Sequence, residues 1–249
     1  VGRVVYTYDG GKSKQKFPSY QDYTPIIVLT KSTKYGSLGP YVLKDEKGRI
    51  MENIWQFSKV YKTVPPSIQK YSMYDSTVIW KWPADVHVRD GEFTPSFWEW
   101  RNSGMNSKFA IRYPVNMKHR SKCIGCLLPE ATETKNNVVP SLLGYIESRK
   151  KIYVPIYCDL VKKEKQFVEL KTRLENGENL LICEVDVAYQ NELEYYKNTY
   201  GVSDDFIVNN TMEVNKENIT IMLNDDRKPF GHGYCLAMAL LDKDKEWNI

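Results

Sequence analysis

Short apolar runs alternate with polar turns along this chain of 249 residues, and the period of the pattern changes several times. Val1 to Tyr8 alternates loosely into Asp9-Gly10-Gly11, which predicts a strand and a turn. Ile26-Ile27-Val28-Leu29, framed by Pro25 and Thr30, predicts a buried strand. The β-rich run Tyr41–Leu43 meets a polar turn, Lys44-Asp45-Glu46-Lys47-Gly48. An amphipathic helix is then expected over Glu52–Tyr61, stopped by Pro65-Pro66. Val78–Pro83 predicts a strand or extended loop. Thr94 is suited to N-cap a helix that starts at Pro95 and runs to Met105.

Further on, Ser141–Lys151 fits a helix that closes on Arg149-Lys150-Lys151. Tyr157–Leu174 fits another, with Leu160, Phe167, Leu170 and Leu174 on one face and a stop at Asn176-Gly177. Asn179–Val187 reads as a central strand. Residues 192–224 are polar and rich in Tyr and Asn, which predicts an irregular excursion over the surface. The glycine-rich Pro229-Phe230-Gly231-His232-Gly233 leads into the apolar helix Tyr234–Leu241. No repeat, low-complexity tract or clean linker interrupts this order. The expectation is one α+β domain, mixed helices around a small sheet, carrying insertions.

Composition narrows the class more than the function. Hydrophobic residues at 42% and charged residues at 27% are those of a globular protein that buries a core. No apolar run reaches the length of a membrane span, and no signal-peptide pattern opens the chain. A formal charge of +4 is compatible with nucleic acid without being diagnostic of it. Five cysteines, an odd number, argue against a disulfide framework and for a reducing, cytoplasmic setting. Cys123-Ile124-Gly125-Cys126 is a CxxC, but Cys158, Cys183 and Cys235 are scattered singly and no thioredoxin-like context surrounds it. Metal and redox use are therefore not expected. Neither a Walker-type GxxxxGK[ST] nor a complete GxGxxG is present, so no nucleotide cofactor is implied. The Lys-, Asn- and Tyr-heavy composition is what an A/T-rich genome, such as a phage's, encodes.

Three segments draw the eye to chemistry. The first helical turn at Glu52 carries a carboxylate, the Asn53 amide and the Trp55 indole, with Lys59 following. A carboxylate near unpaired backbone N–H groups is stabilised as an anion. The second segment holds Trp98, Trp100, Arg101 and Met105. The third, Gly231-His232-Gly233 before a helix and just after Asp225-Asp226-Arg227, offers close backbone approach and N–H donors for an anion.

The order and content of these segments resemble the NADAR family, linked to NAD and ADP-ribose metabolism. Ser37-Leu38-Gly39-Pro40 stands where the family has a Ser-Asn-Phe-like segment. Glu52-Asn53-Ile54-Trp55-Gln56-Phe57-Ser58-Lys59 is similar to its Glu-His-x-x-Gln-x-x-Lys block. Trp98, Met105 and Lys108-Phe109 are similar to its Trp…Met…Lys-Phe segment, and Phe230-Gly231-His232-Gly233 with Leu236-Ala237-x-x-Leu240 to its closing motif. Asn53 replaces the usual His, Phe230 replaces Trp, and Asp226 is displaced by about one position from the expected aspartate. Roughly residues 127–180 and 187–224 have no counterpart and are the insertions.

The resemblance implies an N-glycosidase that hydrolyses a ribose–base C–N bond, removing ADP-ribose from a nucleobase in nucleic acid or from an ADP-ribosyl nucleotide. On this basis Glu52 faces the anomeric carbon, Asp226 orients water or the ribose hydroxyls, and Trp98 forms an aromatic wall. Asn53, Trp55, Lys59, Arg101 and the Gly231–His232–Gly233 turn contact phosphate or base. The alternatives are an exposed first-turn acid at Glu52, a core residue at Trp98 and a solvated acid at Asp226, with Asp186 as its rival. Two other functions stay open. One is a non-catalytic nucleic-acid-binding protein using tyrosines with Arg149-Lys150-Lys151, Lys118-His119-Arg120 and Lys162-Lys163. The other is a different nucleotide- or base-modifying enzyme.

Overall fold

The computed structural model describes residues 1–9, 11–29, 34–62, 86–112, 114, 121–134 and 136–249. The strand or extended loop expected at 78–83 and the basic triplet at 118–120 lie outside them. The fold is α+β. The described residues divide into two compact units, residues 1–39 with 154–249, and residues 40–153.

In the first unit, β9 (Leu180–Glu184) is central, flanked by β1 (Gly2–Arg3) and β4 (Thr24–Ile27), both parallel to it. Leu181 to Glu184 are all buried, as expected of a strand covered on both faces. Against β9 packs α8 (His232–Leu240), which also meets α4 (Val154–Val161) and α5 (Lys165–Glu175). Every residue of α8 is buried, which accounts for its unbroken apolar sequence.

Two expectations fail in this unit. The helix expected over Tyr157–Leu174 is broken: Glu164 is extended and serves as the N-cap of α5. The region 192–224 is not irregular throughout, because it holds α6 (Leu193–Tyr200) and α7 (Lys216–Asn224). One buried residue anchors α6, Tyr196, and three anchor α7, Ile219, Met222 and Leu223, and the Asn215 side chain caps α7. Apolar positions this sparse escape a periodicity reading. The N-terminal turn is a hairpin of β2 (Val5–Asp9) and β3 (Lys12–Lys16) whose residues are almost all exposed.

The second unit is built on aromatic packing. Phe57, Tyr61, Phe93, Phe97, Trp98 and Trp100 share one core with Val60, Met105, Ile111 and Leu127. Its helices are α1 (Met51–Phe57), α2 (Pro95–Met105) and α3 (Tyr145–Ser148), which continues as a π-helical turn, Arg149–Tyr153. Thr94 caps α2 as expected, its hydroxyl accepting from the Phe97 N–H. Gly104 lets α2 close on α1, since a Cβ there would lie 2.0 Å from the Phe57 ring.

The strands of this unit pair two by two. β5 (Lys59–Tyr61) is antiparallel to β8 (Cys123–Cys126), and β6 (Val88–Arg89) to β7 (Glu92–Phe93). The second hairpin turns through Asp90 and Gly91, both at positive φ. No strand forms at Tyr41–Leu43, where the backbone turns instead, and only Lys44 and Ile50 bridge. No helix among the described residues is long and apolar enough to cross a membrane.

Candidate functional site

The helix at Glu52 is shorter than its sequence suggests. The Ser58 hydroxyl folds back to the Ile54 carbonyl at 2.7 Å, and the Ser58 carbonyl accepts from the Leu127 N–H at 2.8 Å. The chain thereby leaves the helix and enters β5, so Lys59 begins a strand rather than a third helical turn. The Glu-Gln-Lys spacing nonetheless makes one connected line. Gln56 Nε2 donates to Glu52 Oε1 at 2.8 Å, and Lys59 Nζ donates to Gln56 Oε1 at 2.7 Å. Glu52 and Gln56 are buried and Lys59 is half-buried. The Lys59 ammonium also stands 5.0 Å from the centre of the Trp55 ring, which meets Tyr153 edge-on. Glu52 is therefore a buried carboxylate in a fixed network, not the exposed first-turn acid that was its alternative.

Three other residues assigned to this region hold the unit together instead. Asn53 is fully buried; its Nδ2 donates to the carbonyls of Ser107 and Phe109, and its Oδ1 accepts from the Ile111 N–H at 2.7 Å. The amide thus pins the segment that follows α2. Trp98 packs among Phe93 and Phe97 and donates its indole N–H to Asn137 Oδ1, so it belongs to the core rather than to a ligand wall. Arg101 is 1% exposed and directs its guanidinium to the Phe57 and Leu128 carbonyls at 2.7 and 2.6 Å. Burial lowers its pKa to about 10, with the nearby Arg49 charge adding to the effect. A guanidinium spent on backbone carbonyls has little left for a phosphate.

In the other unit, two of the distant segments do meet. The Gly36–Leu38 turn accepts the Tyr157 hydroxyl on the Leu38 carbonyl at 2.7 Å, and the Tyr157 ring lies 5.8 Å from that of His232. His232 Nε2 is 2.9 Å from the Val28 carbonyl, an acceptor only, so this nitrogen carries the proton. His232 Nδ1 faces Glu184 Oε1 at 3.8 Å.

Glu184, at the end of β9, has no place among the site residues expected from sequence. It is fully buried against the mouth of α8, and its Oε2 has no hydrogen-bond partner among the described residues. Burial pushes its pKa up, opposed by His232 and reinforced by Asp186. The glycines are explained by this side chain. A Cβ on Gly231 would come 2.0 Å from Glu184 Oε2, and one on Gly233 would come 3.0 Å from Glu184 Cβ. The space expected to receive a phosphate at this turn is taken by the protein's own carboxyl group.

The buried aspartate is the neighbour of the one assigned to the site. Asp226 is exposed, as is its rival Asp186, whose carbonyl accepts the Gly231 N–H. Asp225 is the buried one: it accepts the Tyr196 hydroxyl at 2.8 Å and pairs with Arg227 at 2.8 Å. Burial raises its pKa, but the bonds from Arg227 and Tyr196 outweigh that and leave it lowered. The basic clusters proposed for nucleic acid are mostly engaged elsewhere. Arg149 is buried over the Tyr145 ring, Lys151 pairs with Glu147, and Lys162 pairs with Asp244.

No protein-family model, curated protein or solved structure matches this chain.

Proposed function

We propose that this protein is an N-glycosidase that hydrolyses the bond between ribose and a nucleobase nitrogen, removing ADP-ribose from an ADP-ribosylated base in nucleic acid. The observation that carries the reading is the Glu52–Gln56–Lys59 line, with Trp55 beside it. Departure of the base leaves positive charge on the anomeric carbon and ring oxygen of the ribose. A buried carboxylate whose position is fixed before the reaction stabilises that charge without having to reorganise. Glu52 supplies it, and Gln56 sets its orientation.

The bond balance is simple. The C–N bond breaks with its electrons going to the base nitrogen, water adds its oxygen to the anomeric carbon, and the water proton ends on the leaving base. Trp55 offers an aromatic face for the base, and Lys59 a counter-charge for the diphosphate. The NADAR resemblance supports the same assignment, because its Glu, Gln and Lys intervals fall on the three residues that form the line. Incubating the protein with ADP-ribosylated DNA and measuring released ADP-ribose by mass spectrometry tests it. Release supports the reading and its absence removes it.

A second reading, nucleic-acid binding without cleavage, draws on the β2–β3 hairpin rather than on the clusters named from sequence. Its register sets Lys16, Lys14 and Lys12 opposite Val5, Thr7 and Asp9, and Tyr6 and Tyr8 opposite Gln15 and Ser13. One face of the ribbon is thus lined with lysines and the other carries two tyrosines, Tyr8 being 80% exposed. Phosphates on one side and a base stacked on the other suit single-stranded nucleic acid. Salt-sensitive binding of single-stranded DNA that is lost when the three lysines become glutamates, with no ADP-ribose released, favours this reading over the first.

A further inference from the structure

The CxxC on β8 is not an ordinary stretch of strand. In a regular ladder, residues three apart point to opposite faces of the sheet. Here Cys126 is opposite Lys59, Gly125 is opposite Val60 and Cys123 is opposite Tyr61, so Ile124 has no counterpart on β5. That bulge removes one residue from the count and brings the two cysteines to the same face. Gly125 makes it possible with φ at +155°, and a Cβ there would lie 2.6 Å from Leu142 Cβ. The Cys123 thiol donates to the Gly125 carbonyl at 3.4 Å, within the bulge itself.

We propose that Cys123 and Cys126 form a dithiol–disulfide site whose co-substrate is a low-molecular-weight disulfide such as oxidised glutathione. Cys123 is half-buried and is the member a small molecule reaches, whereas Cys126 is buried beneath it. The neighbouring Cys126 lowers the Cys123 pKa despite burial, with the Lys59 charge acting in the same direction. Cys123 beside it, together with burial, raises that of Cys126. Cys123, the one within reach, is the attacking thiolate, and the buried Cys126 is the resolving thiol.

The exchange runs in two steps. Cys123 attacks one sulfur of the small disulfide and expels one thiolate, which takes up a proton. Cys126 then loses its proton, attacks the Cys123 sulfur and expels the second small thiol. Two protein thiols are oxidised and one small disulfide is reduced to two thiols. The other cysteines, Cys158, Cys183 and Cys235, are all buried, and burial raises Cys183 to about 11. They are not expected to react in the folded chain.

Cleavage after Lys122 and Lys135 places both cysteines, and no other, on one tryptic peptide, residues 123–135. The reduced full chain is incubated with oxidised glutathione, alkylated in denaturant, digested without reductant and mapped by mass spectrometry. The expected result is a peptide 123–135 short of two hydrogens and unalkylated, with Cys158, Cys183 and Cys235 alkylated. Cys126→Ser should instead trap glutathione on Cys123, and Cys123→Ser should acquire nothing at Cys126. A wild-type peptide that stays doubly alkylated, or an adduct on Cys126 in the Cys123→Ser variant, overturns the proposal.

Discussion

Gln56 Nε2 donates to Glu52 Oε1 at 2.8 Å, one helical turn away, while Gln56 Oε1 receives Lys59. The amide is therefore the joint between an anion and a cation, and it sets the carboxylate's orientation. A hydrogen bond to a charged group contributes about 1.5–3 kcal/mol, equivalent to roughly 10- to 100-fold in rate if it acts only in the transition state. Gln56→Ala should lower kcat for ADP-ribose release by that factor while the chain stays folded by circular dichroism. Wild-type kcat in this variant would show that Gln56 has no part in orienting Glu52.

Trp98 and the aromatic rings around it make a separate, structural prediction. Trp98→Ala empties a site between Phe93 and Phe97 and should cost about 3–5 kcal/mol of stability. Trp98→Phe keeps most of the volume and gives up the bond to Asn137. It should retain turnover at a modestly lower Tm. Loss of turnover at unchanged Tm in Trp98→Phe would return Trp98 to the ligand.

Glu184 gives a dependence on pH with a definite sign. Its pKa is raised in the folded state, chiefly by burial, so the folded protein holds this proton more tightly than the unfolded chain does. The contribution is full below the unfolded carboxylate pKa and is lost as pH rises through the folded value. Glu184→Gln keeps the shape without the titration. Its thermal melt should gain on wild type at about pH 8 and not at about pH 4. An equal difference at both pH values would mean that Glu184 does not titrate in this way.

Asp225 and Asp226 are adjacent and should behave oppositely. Asp225→Asn weakens a buried carboxylate's bonds to Arg227 and Tyr196 and should lower Tm. Asp226→Asn changes an exposed side chain and should leave Tm unchanged. Turnover lost in Asp226→Asn alone would restore it as the acid that orients water.

How much of this was legible in the sequence follows from which residues carry a local signal. Thr94-Pro95 announces a helix start through its own capping chemistry, and the apolar run ending at Glu184 announces a buried strand. The end of α1 was not legible, because Ser58 bonding back to Ile54 and the pairing of β5 with a strand more than sixty residues away are tertiary events. Burial of Asp225 rather than Asp226 depends on the position of Tyr196, which no local pattern fixes. The partner of the Gly231 and Gly233 gaps, Glu184, lies on another element altogether. That Cys123 and Cys126 share a face depends on a bulge that only the register of β8 against β5 reveals.

If the Glu52 carboxylate drives the proposed cleavage, removing its charge should stop it. Wild type and Glu52→Gln are incubated with ADP-ribosylated DNA, released ADP-ribose is quantified by mass spectrometry, and both melts are recorded. Wild type should release ADP-ribose and Glu52→Gln none, with nearly equal Tm values. Equal release from both proteins would contradict this role for Glu52.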